Sequence, residues 1–373
     1  MIPKKILYVG RFELPDKEAT ANRVVANAKL LRDFGCEVIL AGWSEKVTRT
    51  EKWKKSEYYG FTCYEKHKAT TVREKFEMFV DASPELSLLS KGGFELLIAY
   101  DFPAIVLKKL MRCCRRCGIA CICDVSEWYT NSNKHFLFRM VRAYDSHLRM
   151  KVLHKKADGL IVISKYLEDY YSACKTVRIP PLVDKEDPKW AALLPDSGTR
   201  QKVRLVYAGW PSKTKERLDL LVEKMKNFTQ IAELHVYGID ETKYRAIYGD
   251  EQTISYNVVF HGRTSHLETL HAVKNADYSL IIRESNRKNN AGFPSKLVES
   301  ISCGTPVLTT PISNVTDYVH DGINGYIISA WNLESDMKHA FEHRKEVCVN
   351  QDLFDYRRYS EPVRNFLEHL REQ

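Results

Sequence analysis

Short continuous apolar runs recur along this chain of 373 residues, separated by longer stretches in which apolar positions return every three or four residues. Runs of that kind read as strands buried on both faces, and the longer period reads as amphipathic helix. Lys5 to Val9, Val38 to Ala41, Leu96 to Tyr100, Ala120 to Val125 and Gly159 to Ile163 make a first series of strands, with helices over Ala21 to Phe34 and Ala104 to Cys117 between them. A second series comprises Arg204 to Ala208, Glu233 to Tyr237, Val258 to Phe260, Tyr278 to Ile282, Thr305 to Leu308 and Gly325 to Ile328. Alternation of strand and helix predicts a parallel α/β sheet. Two series, in a chain too long for one compact core of ordinary size, predict two doubly wound α/β domains. Pro180-Pro181 and the polar stretch Lys185 to Arg200 mark the join, so the domains are drawn at 1–184 and 185–354. A last helix follows Phe354-Asp-Tyr-Arg-Arg-Tyr359, over Glu361 to Arg371.

The segment Ala291-Gly-Phe-Pro-Ser-Lys-Leu-Val-Glu-Ser-Ile-Ser-Cys-Gly-Thr-Pro-Val-Leu308 carries the most chemistry. Gly292 lets backbone approach a ligand, Pro294 suits a first helical position, and the amides of Ser295, Lys296 and Leu297 are then left without helical partners. Such a terminus favours phosphate. Lys296 adds a charge beside those amides, and Glu299 in the next turn is placed to accept hydrogen bonds from ribose hydroxyls. An ordinary capped helix, closed by Gly304, would show the same local pattern.

Gly292-Phe-Pro-x-Lys-x-x-Glu-x-x-x-x-Gly-x-Pro-Val307 resembles the donor-site signature of family 4 glycosyltransferases, retaining enzymes of the GT-B fold that use nucleotide sugars. The resemblance extends, in the family's order, to Tyr207-Ala-Gly-Trp-Pro-Ser-Lys213, His261-Gly-Arg263, Leu280-Ile-Ile-Arg283 and Asp321-Gly-Ile-Asn-Gly325, and to Ile179-Pro-Pro-Leu-Val-Asp184 between the domains. It implies two Rossmann-like domains facing a central cleft, with a C-terminal crossover helix, about 355–373, returning to the first domain. It implies an UDP- or GDP-linked sugar as co-substrate, with no other cofactor, and a glycan or lipid-linked acceptor in surface polysaccharide or glycoconjugate synthesis. Glu299 would bind the ribose, and the amides of Phe293 to Leu297 with Lys213 or Lys215 and Arg283 the diphosphate.

Two departures from the signature matter. Trp210 stands where the family has Arg, so Lys213 and Lys215 compete for the diphosphate role, and Arg283 and Arg287 are placed to replace the missing charge. Ala291 stands where the first of two motif glutamates is expected. That favours a second reading, a nucleotide-sugar-binding partner without catalysis; a GT-B nucleotide-sugar epimerase is a third. In the first domain, Asn22 and Arg23 open a helix where they would contact an anionic acceptor or cap the helix. Asp124 and Glu127 follow the fourth strand, where relatives hold a histidine near the sugar; they would bind sugar hydroxyls while Trp128 stacks on a pyranose face.

Other chemistries fit less well. Leu7-Tyr-Val-Gly-Arg-Phe12 lacks the paired glycines of a dinucleotide site, and no Asp-x-Asp marks a metal-dependent transferase. The ten cysteines read as reduced and buried, not as metal ligands. Net charge is +9, and the surplus is confined to residues 1–184, which hold 32 Lys and Arg against 22 Asp and Glu. This suits anionic headgroups or a lipid diphosphate acceptor; no nucleic-acid module accompanies it. With no apolar run of spanning length and an N-terminus that reads as a strand, the expectation is a cytoplasmic protein, peripheral on the membrane face.

Overall fold

A computed structural model describes residues 2–15, 17–128, 136–196, 200–211, 215–251 and 253–371, with only the backbone at 136–138 and 371. The chain divides into two compact units, Met1–Leu182 with Tyr356–Gln373 and Val183–Asp355.

The first unit is built on β1 (Lys5–Glu13), β2 (Glu37–Ser44), β3 (Lys54–Tyr58), β4 (Phe61–His67), β5 (Leu96–Tyr100), β6 (Ala120–Val125), β7 (Gly159–Val162) and β8 (Thr176–Arg178). They lie in the order β3-β4-β2-β1-β5-β6-β7-β8, parallel except for the β3–β4 pair. Ile6 stands beside Val38 on one side and Leu96 on the other. These apolar runs are buried on both faces because helices cover both, as a parallel sheet requires. Three strands were missing from the sequence reading. β3 is a polar edge strand, β4 alternates buried Phe61, Cys63 and Glu65 with part-exposed residues, and β8 has only three residues. The chain's last helix, Ser360–Glu368, packs Val363, Phe366 and Leu367 into this unit's core.

The second unit holds β9 (Val203–Ala208), β10 (Ala232–Tyr237), β11 (Val258–Gly262), β12 (Tyr278–Ile281), β13 (Val307–Thr309) and β14 (Gly325–Ile327). All are parallel, in the order β11-β10-β9-β12-β13-β14. The order reverses at β9, whose neighbours β10 and β12 lead away in opposite directions. Open α/β sheets bind ligands beyond the carboxyl ends of the strands at such a reversal, here those of β9 and β12. The strand expected from Thr305 starts two residues later, because the Thr305 amide is used in the turn that closes the preceding helix.

Among the described residues no helix is long and apolar enough to cross a membrane, and no group of three or more His, Cys, Asp or Glu is placed to hold a metal. All ten cysteines are free thiols.

Candidate functional site

The helix Ser295–Cys303 begins beside the segment that follows β9, where Lys296 reaches Gly209 and Glu216. It buries Leu297, Val298 and Ile301, which leaves Lys296 and Glu299, three positions apart, on the part-exposed side. Gly304 closes it in the left-handed region (φ 80°), donating to the Ile301 carbonyl at 2.9 Å. Pro294 is the residue before the helix and not its first member, and no side chain caps the N-terminus. The Leu297 amide, expected to be unpartnered, donates to the Pro294 carbonyl at 3.0 Å. The cradle is thus narrower than expected and rests on the Ser295 and Lys296 amides. Gly292 has an ordinary φ of −86°, and a Cβ there would meet only the Lys288 carbonyl, at 3.6 Å. The fold's own packing does not require glycine at this position. The Phe293 ring is anchored against Tyr318 and Phe354.

Lys296 and Arg283 converge on one carboxylate that sequence reading missed. Glu216 Oε2 accepts from Lys296 Nζ at 2.5 Å and Oε1 from Arg283 at 2.7 Å, while the Tyr207 hydroxyl donates to Oε2. The Glu216 side chain is 4% exposed and that of Lys296 13%. Burial alone would raise the Glu216 carboxyl, but the Lys296 and Arg283 charges, with hydrogen bonds from Lys296 and Tyr207, hold it down at about 2. Burial pulls the Lys296 ammonium down to about 8, against the pull of Glu216. The ammonium also lies 3.7 Å from the centroid of the Tyr207 ring. Its stem crosses Gly209, where an added Cβ would come within 2.7 Å of Lys296 Cε. The one hint in the sequence was a lone acid in the basic run Lys213 to Arg217, just after a strand.

The remaining expected donor residues are spread around this cluster. Lys215 is exposed on the turn after β9 and close enough to depress the Lys296 ammonium further. Lys213 lies outside the described residues. Arg287 opens the short helix Arg287–Ala291, exposed, and Ala291 at its end is fully buried. Glu299 Oε1 stands 3.2 Å from His266 Nε2. Trp210 is exposed.

In the first unit the structure corrects two expectations. Arg23 and Asp124, placed by sequence reading against an acceptor and a sugar, face each other at 2.8 Å with side chains 2% and 0% exposed. The Arg23 guanidinium also donates to the carbonyls of Ile179 at 2.7 Å and Pro180 at 3.3 Å, and Asp124 accepts from the Tyr8 hydroxyl. Both charges are consumed inside the core, tying the first helix (Ala19–Asp33) to β6 and to the chain after β8. Asn22, its neighbour, is part-exposed, and Glu127 is exposed on the segment after β6. Trp128 packs edge-on against Tyr166 and Tyr170.

Residues 202–343, from β9 through the helix Leu333–Glu342, match the family model "Glycosyl transferases group 1". By sequence, no curated protein matches the chain. Solved structures resemble it over its whole length. A lipopolysaccharide outer core galactosyltransferase in its apo form is 16% identical, with 98% of this chain and 99% of that one covered and a TM-score of 0.63. Sucrose-phosphate synthase from Thermosynechococcus elongatus is 15% identical, with 98% and 94% covered and a TM-score of 0.64. The catalytic domain of starch synthase IV from Arabidopsis thaliana, bound to ADP and acarbose, is 9% identical, with 99% of each chain covered and a TM-score of 0.69. The chain accordingly has the GT-B fold, and residues 202–343 of its second unit are similar to group 1 glycosyltransferase domains.

Proposed function

We propose that this protein is a retaining glycosyltransferase that moves a sugar from a nucleotide-sugar donor to a glycan or lipid-linked acceptor without a divalent metal. The observation that carries this reading is the convergence of Lys296 and Arg283 at an uncapped helix N-terminus, beyond the strands where the sheet order reverses. Two cations and two free amides suit a diphosphate, and Glu299, one turn further, suits a ribose. Lys215, with Lys213 and Arg287, would add charge at the rim. The starch synthase IV structure of the same fold holds ADP, which supports a nucleotide as ligand. A UDP- or GDP-linked hexose is the donor we favour.

In the reaction, the bond between the anomeric carbon and the donor phosphate oxygen breaks with its electron pair on the oxygen. The acceptor oxygen bonds the same face of the anomeric carbon and gives its proton to that phosphate oxygen. The group most in need of stabilisation is therefore the departing diphosphate, which Lys296 and Arg283 meet. Glu127 and Trp128 remain our candidates for contacts with the sugar or acceptor, and Asn22, near the start of the helix Ala19–Asp33, for contact with the acceptor. Three helices of the first unit, Val72–Val80, Ala104–Cys117 and Phe136–Leu148, pack side by side and leave Val72, Phe76, Met140, Val141 and Tyr144 exposed among basic residues. We take this face as the basis for peripheral contact with an anionic membrane.

Glu299→Ala tests the donor assignment. It should weaken UDP or GDP binding about tenfold or more, the loss expected for charge-assisted hydrogen bonds to ribose, with an unchanged circular dichroism spectrum. Equal affinity by isothermal titration would sink the assignment. The buried Ala291, where a second carboxylate was expected, favours the alternative of a binding partner without turnover; donor hydrolysis by the purified protein counts against that alternative.

A further inference from the structure

We propose that Glu216 is a positioning residue of the donor site, whose carboxylate holds the Lys296 ammonium and the Arg283 guanidinium side by side so that a nucleoside diphosphate meets a preformed pair of cations. The proposal rests on the donor-site reading above and adds a residue to it. Two buried cations repel each other and, left to themselves, would turn apart toward water. One carboxylate between them, 2.5 Å from Lys296 Nζ and 2.7 Å from Arg283, removes that repulsion and leaves a net positive charge for the ligand.

The carboxylate is itself fixed from several sides. The Tyr207 hydroxyl on β9 donates to it. The Tyr248 hydroxyl, at the end of the helix Glu241–Tyr248, donates to the Glu216 backbone carbonyl at 3.0 Å. Arg283, in turn, is pinned through its backbone, whose amide and carbonyl both engage the Thr310 hydroxyl, at 2.9 and 2.7 Å. Gly209, lacking a side chain, gives the Lys296 stem its passage. Such a tether on both cations exceeds what an ordinary helix start needs.

A second effect follows from charge. The groups that act on the Lys296 ammonium are Glu216, which favours its proton, and Arg283 and Lys215, which oppose it; Tyr207 lies beneath it. Removing the carboxylate lowers the proton affinity of Lys296, so the ammonium is lost at a lower pH. A residue that only supported the fold would not shift this titration.

The experiment measures UDP and GDP affinity by isothermal titration from pH 7 to 9 for wild type, Glu216→Gln and Lys296→Arg, and reads the ratio between variants at each pH, in which the nucleotide's own ionisation cancels. The ratio of wild-type to Glu216→Gln affinity should widen from about threefold at pH 7 to tenfold or more at pH 9. In Lys296→Arg, whose guanidinium keeps its charge, the decline above pH 8 should disappear. A constant Glu216→Gln ratio across the range would overturn the proposal. If Glu216→Gln does not fold, Glu216→Asp is measured instead, whose shortened carboxylate cannot reach both cations; nucleotide affinity equal to wild type across the range then overturns the proposal. Failure of the donor reading looks different: wild type binds neither nucleotide at any pH, or Lys296→Ala binds as tightly as wild type.

Discussion

His154 is almost wholly buried, with Nδ1 2.9 Å from the Tyr171 hydroxyl. Burial, aided by the Arg149 charge, pulls its pKa down to about 3. Between that value and the ordinary imidazole range near 6.5, the unfolded chain binds a proton that the folded chain does not. Stability should therefore fall as pH drops below about 6.5, by at most about 1.4 kcal/mol per pH unit from this group. Urea unfolding of His154→Gln should show a shallower loss between pH 6.5 and 4, and an unchanged slope would count against this account. The same preference of buried charge for company explains what sequence reading missed at single residues. Glu216, Arg23 and Asp124 are polar letters with no periodicity to mark them as buried. Only contacts made across long stretches of chain, such as Arg23 with Asp124 and Glu216 with Lys296, decide whether such a group faces a ligand or the core. The placement of Lys296 and Glu299 on one side of a helix was legible, because the apolar period and the closing Gly304 announce that face and that end.

Elements followed the same division. Runs buried on both faces, such as Leu96–Tyr100 and Ala120–Val125, have the bounds that sequence reading assigned them. The polar edge strand β3 does not announce itself, because half its side chains meet water on either reading. At the level of strand pairing, Gly10 of β1 sits opposite Tyr100 of β5. A Cβ at position 10 would come within 2.3 Å of the Tyr100 carbonyl oxygen and 2.5 Å of its Cβ. The nearest obstacle is backbone, which cannot swing away. Gly10→Ala should cost more than about 2 kcal/mol of unfolding free energy, the range of strained or overpacked core changes. A denaturant midpoint equal to wild type would show that β1 and β5 separate without penalty.

Over the whole molecule, the excess of basic residues lies in 1–184, which also holds the exposed apolar side chains of Val72–Val80 and Phe136–Leu148. Apolar contact and anionic attraction add when both occur on one surface. The protein should therefore sediment with phosphatidylserine-containing vesicles at low salt and not with phosphatidylcholine alone. Arg139→Glu combined with Arg142→Glu should abolish the difference, and indifference to lipid charge in the wild type would remove the membrane reading. The composition of the first unit has one more consequence, which concerns synthesis. Its core includes Tyr356, Val363, Phe366, Leu367 and Leu370, and the Phe366 and Leu370 side chains come so close to Gly159 that a Cβ there would lie 2.7 Å from each. The second unit, by contrast, is one uninterrupted stretch from Val183 to Asp355. On a ribosome, the unit that emerges first stays without part of its core until the second has been made. A nascent chain stalled after β7 but before residue 356 thus leaves apolar surface of β7 and its neighbours for chaperones to cover.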